Sequence, residues 1–185
     1  MFRTKPAIGI AVVLAGMLAF GCSTSPKTTS EKDLLETESY ASVKRMVADD
    51  PGLEKFLADA RAYAVFPNAG KGGLIAGVAY GRGIVYSGGR MVGYADITQA
   101  TIGLQAGGQS FTELVAIQDE PTFTKFKTGK LSLSANASAV AIDSGAGAAA
   151  TAGYKDGLVV FVQPRGGLMA EAAVGGQQFT FEELK

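Results

Sequence analysis

Leu74-Ile-Ala-Gly-Val-Ala-Tyr-Gly-Arg-Gly-Ile-Val-Tyr86 is the stretch from which the fold is read. Taken two residues at a time, one face carries Leu74, Ala76, Val78, Tyr80, Arg82, Ile84 and Tyr86, and the other Ile75, Gly77, Ala79, Gly81, Gly83 and Val85. Period-two alternation marks a strand, because successive side chains point to opposite faces. The second face is almost all glycine and alanine, which are poor strand formers. Their concentration predicts close backbone approach or strong curvature, as in a barrel or a tightly packed sandwich. Leu131–Asp143 repeats the pattern, with Leu131, Leu133 and then alanines on one face and Ser132, Ser134, Asn136 and Ser138 on the other. The Ala/Gly-rich run Ser144–Gly153 reads as an irregular hairpin connection or a strand end.

Upstream the period is 3.6. Thr28-Thr29-Ser30-Glu31 has capping-box spacing, and Leu35, Val43, Met46 and Val47 lie near one helical face, which predicts a helix over about Glu31–Val47. Asp50-Pro51 supplies an N-cap and a first-turn proline, and Leu53, Phe56, Leu57 and Ala60 space a second helix. Downstream, Asp119 is placed to cap a short helix that Gly129 ends. The expected class is α+β: two N-terminal helices on a Gly/Ala-rich, mainly antiparallel sheet, sandwich or barrel-like, with one short inserted helix.

The amino terminus reads as a processing signal. Arg3 and Lys5 precede an uncharged run of 14 residues, Ala7–Phe20, too short for a spanning helix of about 20. Leu18-Ala19-Phe20-Gly21-Cys22 then resembles a bacterial lipobox, with Leu18 one position further from the cysteine than the motif prefers. Cys22 is the expected lipidation site; an ordinary secretory signal with a buried thiol is the alternative. This divides the chain into a signal at 1–21, a tether at 22–29 and one domain at 30–185. Ser23 suggests export to the outer membrane, so the expected location is the bacterial envelope, lipid-anchored and facing the periplasm.

Composition narrows the chemistry. The chain of 185 residues has no histidine and one cysteine, so Ser-His-Asp and Cys-His nucleophiles, internal disulfides and a Cys/His zinc site are all excluded. No cofactor, metal or catalytic residue is expected. Asp96, Glu113, Asp143 and Glu171 fall in expected strands, but nothing in their spacing selects the facing pair that glycoside hydrolysis needs. With 17 basic and 17 acidic residues there is no global field for nucleic acid. Loss of Arg3 and Lys5 with the signal takes the basic count to 15, leaving the mature chain mildly acidic.

Basic residues recur in two settings. Lys125, Lys127 and Lys130 accompany Phe123 and Phe126, and no acid occurs between Pro121 and Ile142. Such a segment fits an interfacial anchor, with rings among acyl chains and ammonium groups at phosphates, or else two core phenylalanines beside solvated lysines. The second setting is an internal echo. Lys71-Gly-Gly-Leu-Ile-Ala follows Ala64-Val-Phe-Pro67, and Arg165-Gly-Gly-Leu-Met-Ala follows Val159-Val-Phe-Val-Gln-Pro164. Read as strand, proline-limited turn and Gly-Gly turn, the echo predicts two related hairpins with Lys71 and Arg165 at comparable turns.

Over about Asp50–Phe181 the order of pieces resembles the SYLF lipid-binding module: Ala62-Tyr-Ala-Val-Phe-Pro67, Lys71-Gly-Gly, Gly83-Ile-Val-Tyr-Ser87, Ile102-Gly-Leu-Gln-Ala-Gly-Gly-Gln109, Glu113-Leu-Val-Ala-Ile117, Lys127-Thr-Gly-Lys130 and Gly157-Leu-Val-Val-Phe161. The resemblance implies phospholipid binding without established catalysis. The phosphoinositide and actin associations of eukaryotic members, which sit beside SH3 or FYVE domains, are not carried over. The expectation is a non-enzymatic envelope lipoprotein that binds phospholipid head groups, with an anionic lipid as a candidate ligand. Its candidate contacts are Lys71, Arg82, Phe123, Lys125, Phe126, Lys127, Lys130 and Arg165. The alternative is an envelope structural or protein-interaction module for which lipid is only the anchor.

Overall fold

The computed structural model describes residues 25–74, 76–134, 139–141 and 148–184. The signal, Cys22, Asp143 and residues 144–147 fall outside them; the described part of the Ser144–Gly153 run holds a short helix, Ala148–Thr151, rather than a hairpin connection or strand end. The chain order is α1 (Thr29–Asp49), α2 (Gly52–Asp59), β1 (Ala62–Gly73), β2 (Ala76–Ser87), β3 (Arg90–Ile117), α3 (Glu120–Lys127), β4 (Ser132–Ser134), β5 (Ala139–Ala141), α4 (Ala148–Thr151) and β6 (Leu158–Glu183). This is the expected α+β arrangement, with two N-terminal helices, a largely antiparallel six-stranded sheet and a short inserted helix; the sheet does not close.

Curvature comes from two long strands that each serve twice. The first part of β3 pairs with β2, from Ser87↔Arg90 to Ala76↔Ile102, and its last part pairs with β1, from Gly73↔Gly107 to Ala62↔Ile117. Because β1 also pairs with β2, three strands are mutually hydrogen-bonded, which requires β3 to bend around. Strand β6 follows it antiparallel throughout, from Ile117↔Leu158 to Gly93↔Glu183. Short β4 pairs antiparallel with one end of β6, and β5 pairs parallel with the other.

The concave face holds Ala62, Ala64, Phe66, Val85, Ala95, Ile97, Val115, Ile117, Val160 and Phe179, and α3 covers it with Phe123 and Phe126. The small-residue face of β2 points inward: Gly77, Ala79, Gly81, Gly83 and Val85 are buried. A Cβ at Gly83 would overlap the Val65 carbonyl oxygen and come within 2.6 Å of the Phe66 ring, so glycine is needed for the approach of the neighbouring strand. The convex face, with Val65, Leu114, Ala116, Val159 and Phe161, packs under α1, α2 and α4.

Local signals fix the helices. Thr28 caps α1 with the reciprocal Thr28/Glu31 box, and Glu31, holding two backbone N–H groups, has its carboxyl below the usual range. The buried residues of α1 are Leu35, Ser39, Ser42 and Met46; serines fill the stripe where the helix lies close to the sheet. Asp50, 1% exposed, accepts from Gly52 N at 3.1 Å and from Ala149 N at 2.7 Å, so one carboxylate ties the start of α2 to α4.

The echo is real as pairing and different in form. Register shifts fall at Phe66/Ala69 beside Pro67, and at Ser110/Phe111 opposite Pro164. Both prolines sit at bulges, where a missing N–H is tolerated within a sheet. Gly166-Gly167 is not a turn, since β6 runs straight through it, and Gly72-Gly73 closes β1. Lys71 and Arg165 are therefore strand residues, flanking β3 near Gln109 and Ser110.

Candidate functional site: the tether end of the sheet

Three features meet at one end of the sheet. The first is the tether, whose first described residue, Ser25, donates its backbone N–H to Glu182 Oε2 at 3.2 Å, near the end of β6. The second is the β2–β3 turn at Gly88-Gly89, next along the chain from the Gly93↔Glu183 pair and the Leu184 N to Val92 O bond of 3.0 Å. The third is α3, whose Phe123 and Phe126 rings lie 6.5 and 6.2 Å from Phe181, the residue before Glu182.

Helix α3 is set by its caps. Asp119 accepts from Thr122 N at 2.8 Å, and hydrogen bonds from Thr122, aided by Lys125, hold its carboxyl below the usual range. Gly129 ends the helix at φ +66°, a conformation side chains rarely adopt. This fixes which faces point where. Phe123 is 4% exposed and Phe126 is fully buried, so neither ring is presented to acyl chains. The interfacial-anchor expectation for these two residues gives way to the core-docked one, because Phe126 stacks among Phe179 at 5.3 Å, Phe181 and Phe123.

The lysines remain outside. Lys125 and Lys130 are exposed and have no ion-pair partner among the described residues. Lys127 spreads over the Phe123 ring at 4.7 Å, with its ammonium 3.7 Å from Glu120 Oε1. Glu120 also accepts from Arg61 Nε at 2.6 Å, and Arg61 reaches the Ser87 hydroxyl, tying α3 to the β2–β3 turn. Lys125, Lys127, Lys130 and Arg61 thus stand on and beside α3 with Asp119 and Glu120, while Glu182 and Glu183 lie at the same end of the sheet.

The other basic candidates do not join it. Lys71 is 9% exposed, on the inward side of β1 about nine residues, or about 30 Å, from Ala62. Arg165 is exposed but donates to the Pro67 carbonyl at 2.6 Å, a bulge oxygen that also accepts from Thr112 Oγ1 at 3.0 Å. Arg82 lies half-buried on the convex side, its Nε 3.7 Å from Asp96 Oδ1. Burial raises the Asp96 carboxyl, and the Tyr80 hydroxyl and Arg82 pull it back.

Glu113, read in the sequence only as one of several strand acids, is buried. Glu113 is 1% exposed on the concave face, where its Oε2 accepts from Gln177 Nε2 at 3.0 Å and its Oε1 has no partner. Burial pushes its carboxyl up to about 7, the Gln177 bond opposing. The signal was available in Phe111, Glu113, Val115 and Ile117, a period-two row in which one member is charged. Asp96 lies on the opposite face of β3, paired with Thr180, so these two acids do not face one another. Among the described residues no group of acids, cysteines or histidines is placed to hold a metal. Comparison with protein-family models gives no match, and comparison with curated proteins gives none.

Proposed function

We propose that this chain is a non-catalytic, lipid-anchored envelope protein, attached through Cys22, that contacts phospholipid head groups through the lysines of α3. The observation that carries the reading is the shared end: the tether meets Glu182, and α3, which bears the exposed Lys125 and the partly exposed Lys127 and is followed by Lys130, packs Phe123 and Phe126 against Phe181. Two acyl chains at about 0.8 kcal/mol per CH₂ suffice for attachment, so the lysines are free to orient the domain. Each contributes about 1 kcal/mol near an anionic leaflet. The resemblance to the SYLF module supports the same ligand class.

Vesicle co-sedimentation tests this. A chain starting at Ser23 carries the whole described fold, and at low salt it sediments with phosphatidylglycerol vesicles. Lys125→Glu with Lys127→Glu weakens that binding at least tenfold. No sedimentation of the unsubstituted chain refutes the reading.

One observation favours the alternative, a protein-interaction module. Leu74, just before β2, and Val78 and Tyr80 on it, exposed by 69, 60 and 44%, leave apolar side chains in solvent at the far end of the strand. Cross-linking that captures a stoichiometric protein there, with no vesicle binding, replaces the first reading with the second.

A further inference from the structure

A groove of about 320 Å³ opens between α1, α2 and the β2–β3 turn. Its walls are Val43 and Val47 from α1 and Leu57 and Ala58 from α2, and its floor is the stacked pair Tyr63 and Tyr86, with centroids 5.1 Å apart. Burial raises both phenols, Tyr86 to about 12, so the floor carries no charge at any physiological pH. The charged side chains of the lining are Lys44 on α1 and Glu54 on α2, both exposed. The mouth includes Gly88 and Gly89, the turn that Arg61 joins to α3 through Ser87 and Glu120. An apolar slot with one cation and one anion among its lining residues therefore opens on the convex face, with its mouth at the turn that Arg61 links across to α3.

We infer that this groove takes a single acyl chain of a zwitterionic phospholipid of the phosphoethanolamine type, with the phosphate at Lys44 and the ammonium at Glu54. The volume is at the small end for ligand clefts, about 300–1,000 Å³, which suits one chain rather than a whole diacyl lipid. Complementarity of sign selects the head group, because each lipid charge meets an opposite partner in a charge-assisted contact. The membrane-contact reading supplies the source: the mouth lies at the Gly88-Gly89 turn, at the same end of the sheet as α3, and an acyl chain comes from the leaflet that this end meets. The inference rests on the membrane-contact reading and adds a defined ligand to it.

The probe is lysophosphatidylethanolamine carrying a photoreactive diazirine in its acyl chain, used as a monomer in solution with the chain from Ser23. Saturable labelling of peptides holding Val43–Val47 and Leu57–Ala60 is expected. Ala58→Trp, at an exposed lining position that fills the slot without entering the core, lowers labelling at least tenfold and leaves the circular-dichroism melt unchanged. Glu54→Lys places a second cation among the charged lining residues and weakens the ethanolamine probe at least fivefold. Labelling that does not saturate, that maps elsewhere, or that survives Ala58→Trp overturns the inference. Because the probe is a monomer and no vesicle is present, this failure is distinguishable from a failure to bind anionic vesicles.

Discussion

Glu113→Gln removes a fully buried carboxyl of the concave face and should make stability at alkaline pH higher, not lower. A carboxyl raised from its ordinary 4.5 to about 7 on folding holds its proton more tightly in the folded state by about 3 kcal/mol. The folded form therefore binds more protons than the unfolded one between these values. Its contribution is full below pH 4.5 and is lost as the pH rises through about 7. Above that, the fold carries a buried carboxylate whose Oε1 has no partner. Glutamine keeps the shape and an oxygen for the Gln177 amide, and it does not titrate. Between pH 5 and pH 8 the stability of the variant relative to wild type should rise by about 2–3 kcal/mol. In urea this moves the relative midpoint by about 0.7–3 M, given slopes of about 1–3 kcal/mol per M. With no histidine in the chain, few other side chains titrate in this window, so the slope is assignable. Equal pH slopes for wild type and Glu113→Gln in urea unfolding at pH 5, 6, 7 and 8 would refute the reasoning.

Gly83→Ala drives a methyl into the Val65 carbonyl and the Phe66 ring, and overpacking of this kind should cost about 1–3 kcal/mol, read as a lowered Tm; an unchanged Tm shows that the strands can part. Asp50→Ala orphans the Gly52 and Ala149 amides together and should cost about 2–3 kcal/mol, whereas Asp50→Asn keeps an acceptor and should cost less, both checked by denaturant unfolding. Phe126→Ala should lose about 3–5 kcal/mol of stability as a core residue. An interfacial ring would instead lose vesicle affinity at unchanged stability.

Much of the fold was legible in the sequence where a feature is local. The Thr28/Glu31 box, the Asp119 and Gly129 caps and the small-residue face of β2 are each decided within a few residues, and each appears as read. The rest depends on partners distant in sequence. Gly166-Gly167 carries a turn signal, yet pairing with Ser110 and Gln109 keeps β6 extended through it. That β3 and β6 run for 28 and 26 residues and each serve twice is a property of the curved sheet, with no local mark. The candidate site divides in the same way. The outward placement of the α3 lysines was legible because helix period and charge coincide there. Lys71 was misplaced because its burial is imposed by partner strands distant in sequence, and the burial of Glu113 was not read although its row of Phe111, Val115 and Ile117 marks that face, because its partner Gln177 is 64 residues away. Phe123 and Phe126 fit both an anchor and a core, and only the position of Phe179 and Phe181 decides between them.

The chain has no tryptophan, so a single introduced one reports on its own surroundings. Thr124→Trp sits on the exposed side of α3 and Val78→Trp at the far end of β2. With phosphatidylglycerol vesicles whose acyl chains are brominated near the head group, the account predicts a blue shift and quenching for Thr124→Trp and neither for Val78→Trp. Quenching confined to Val78→Trp, or absent from both, contradicts the claim that the lysine-bearing, tether end of the sheet meets the membrane.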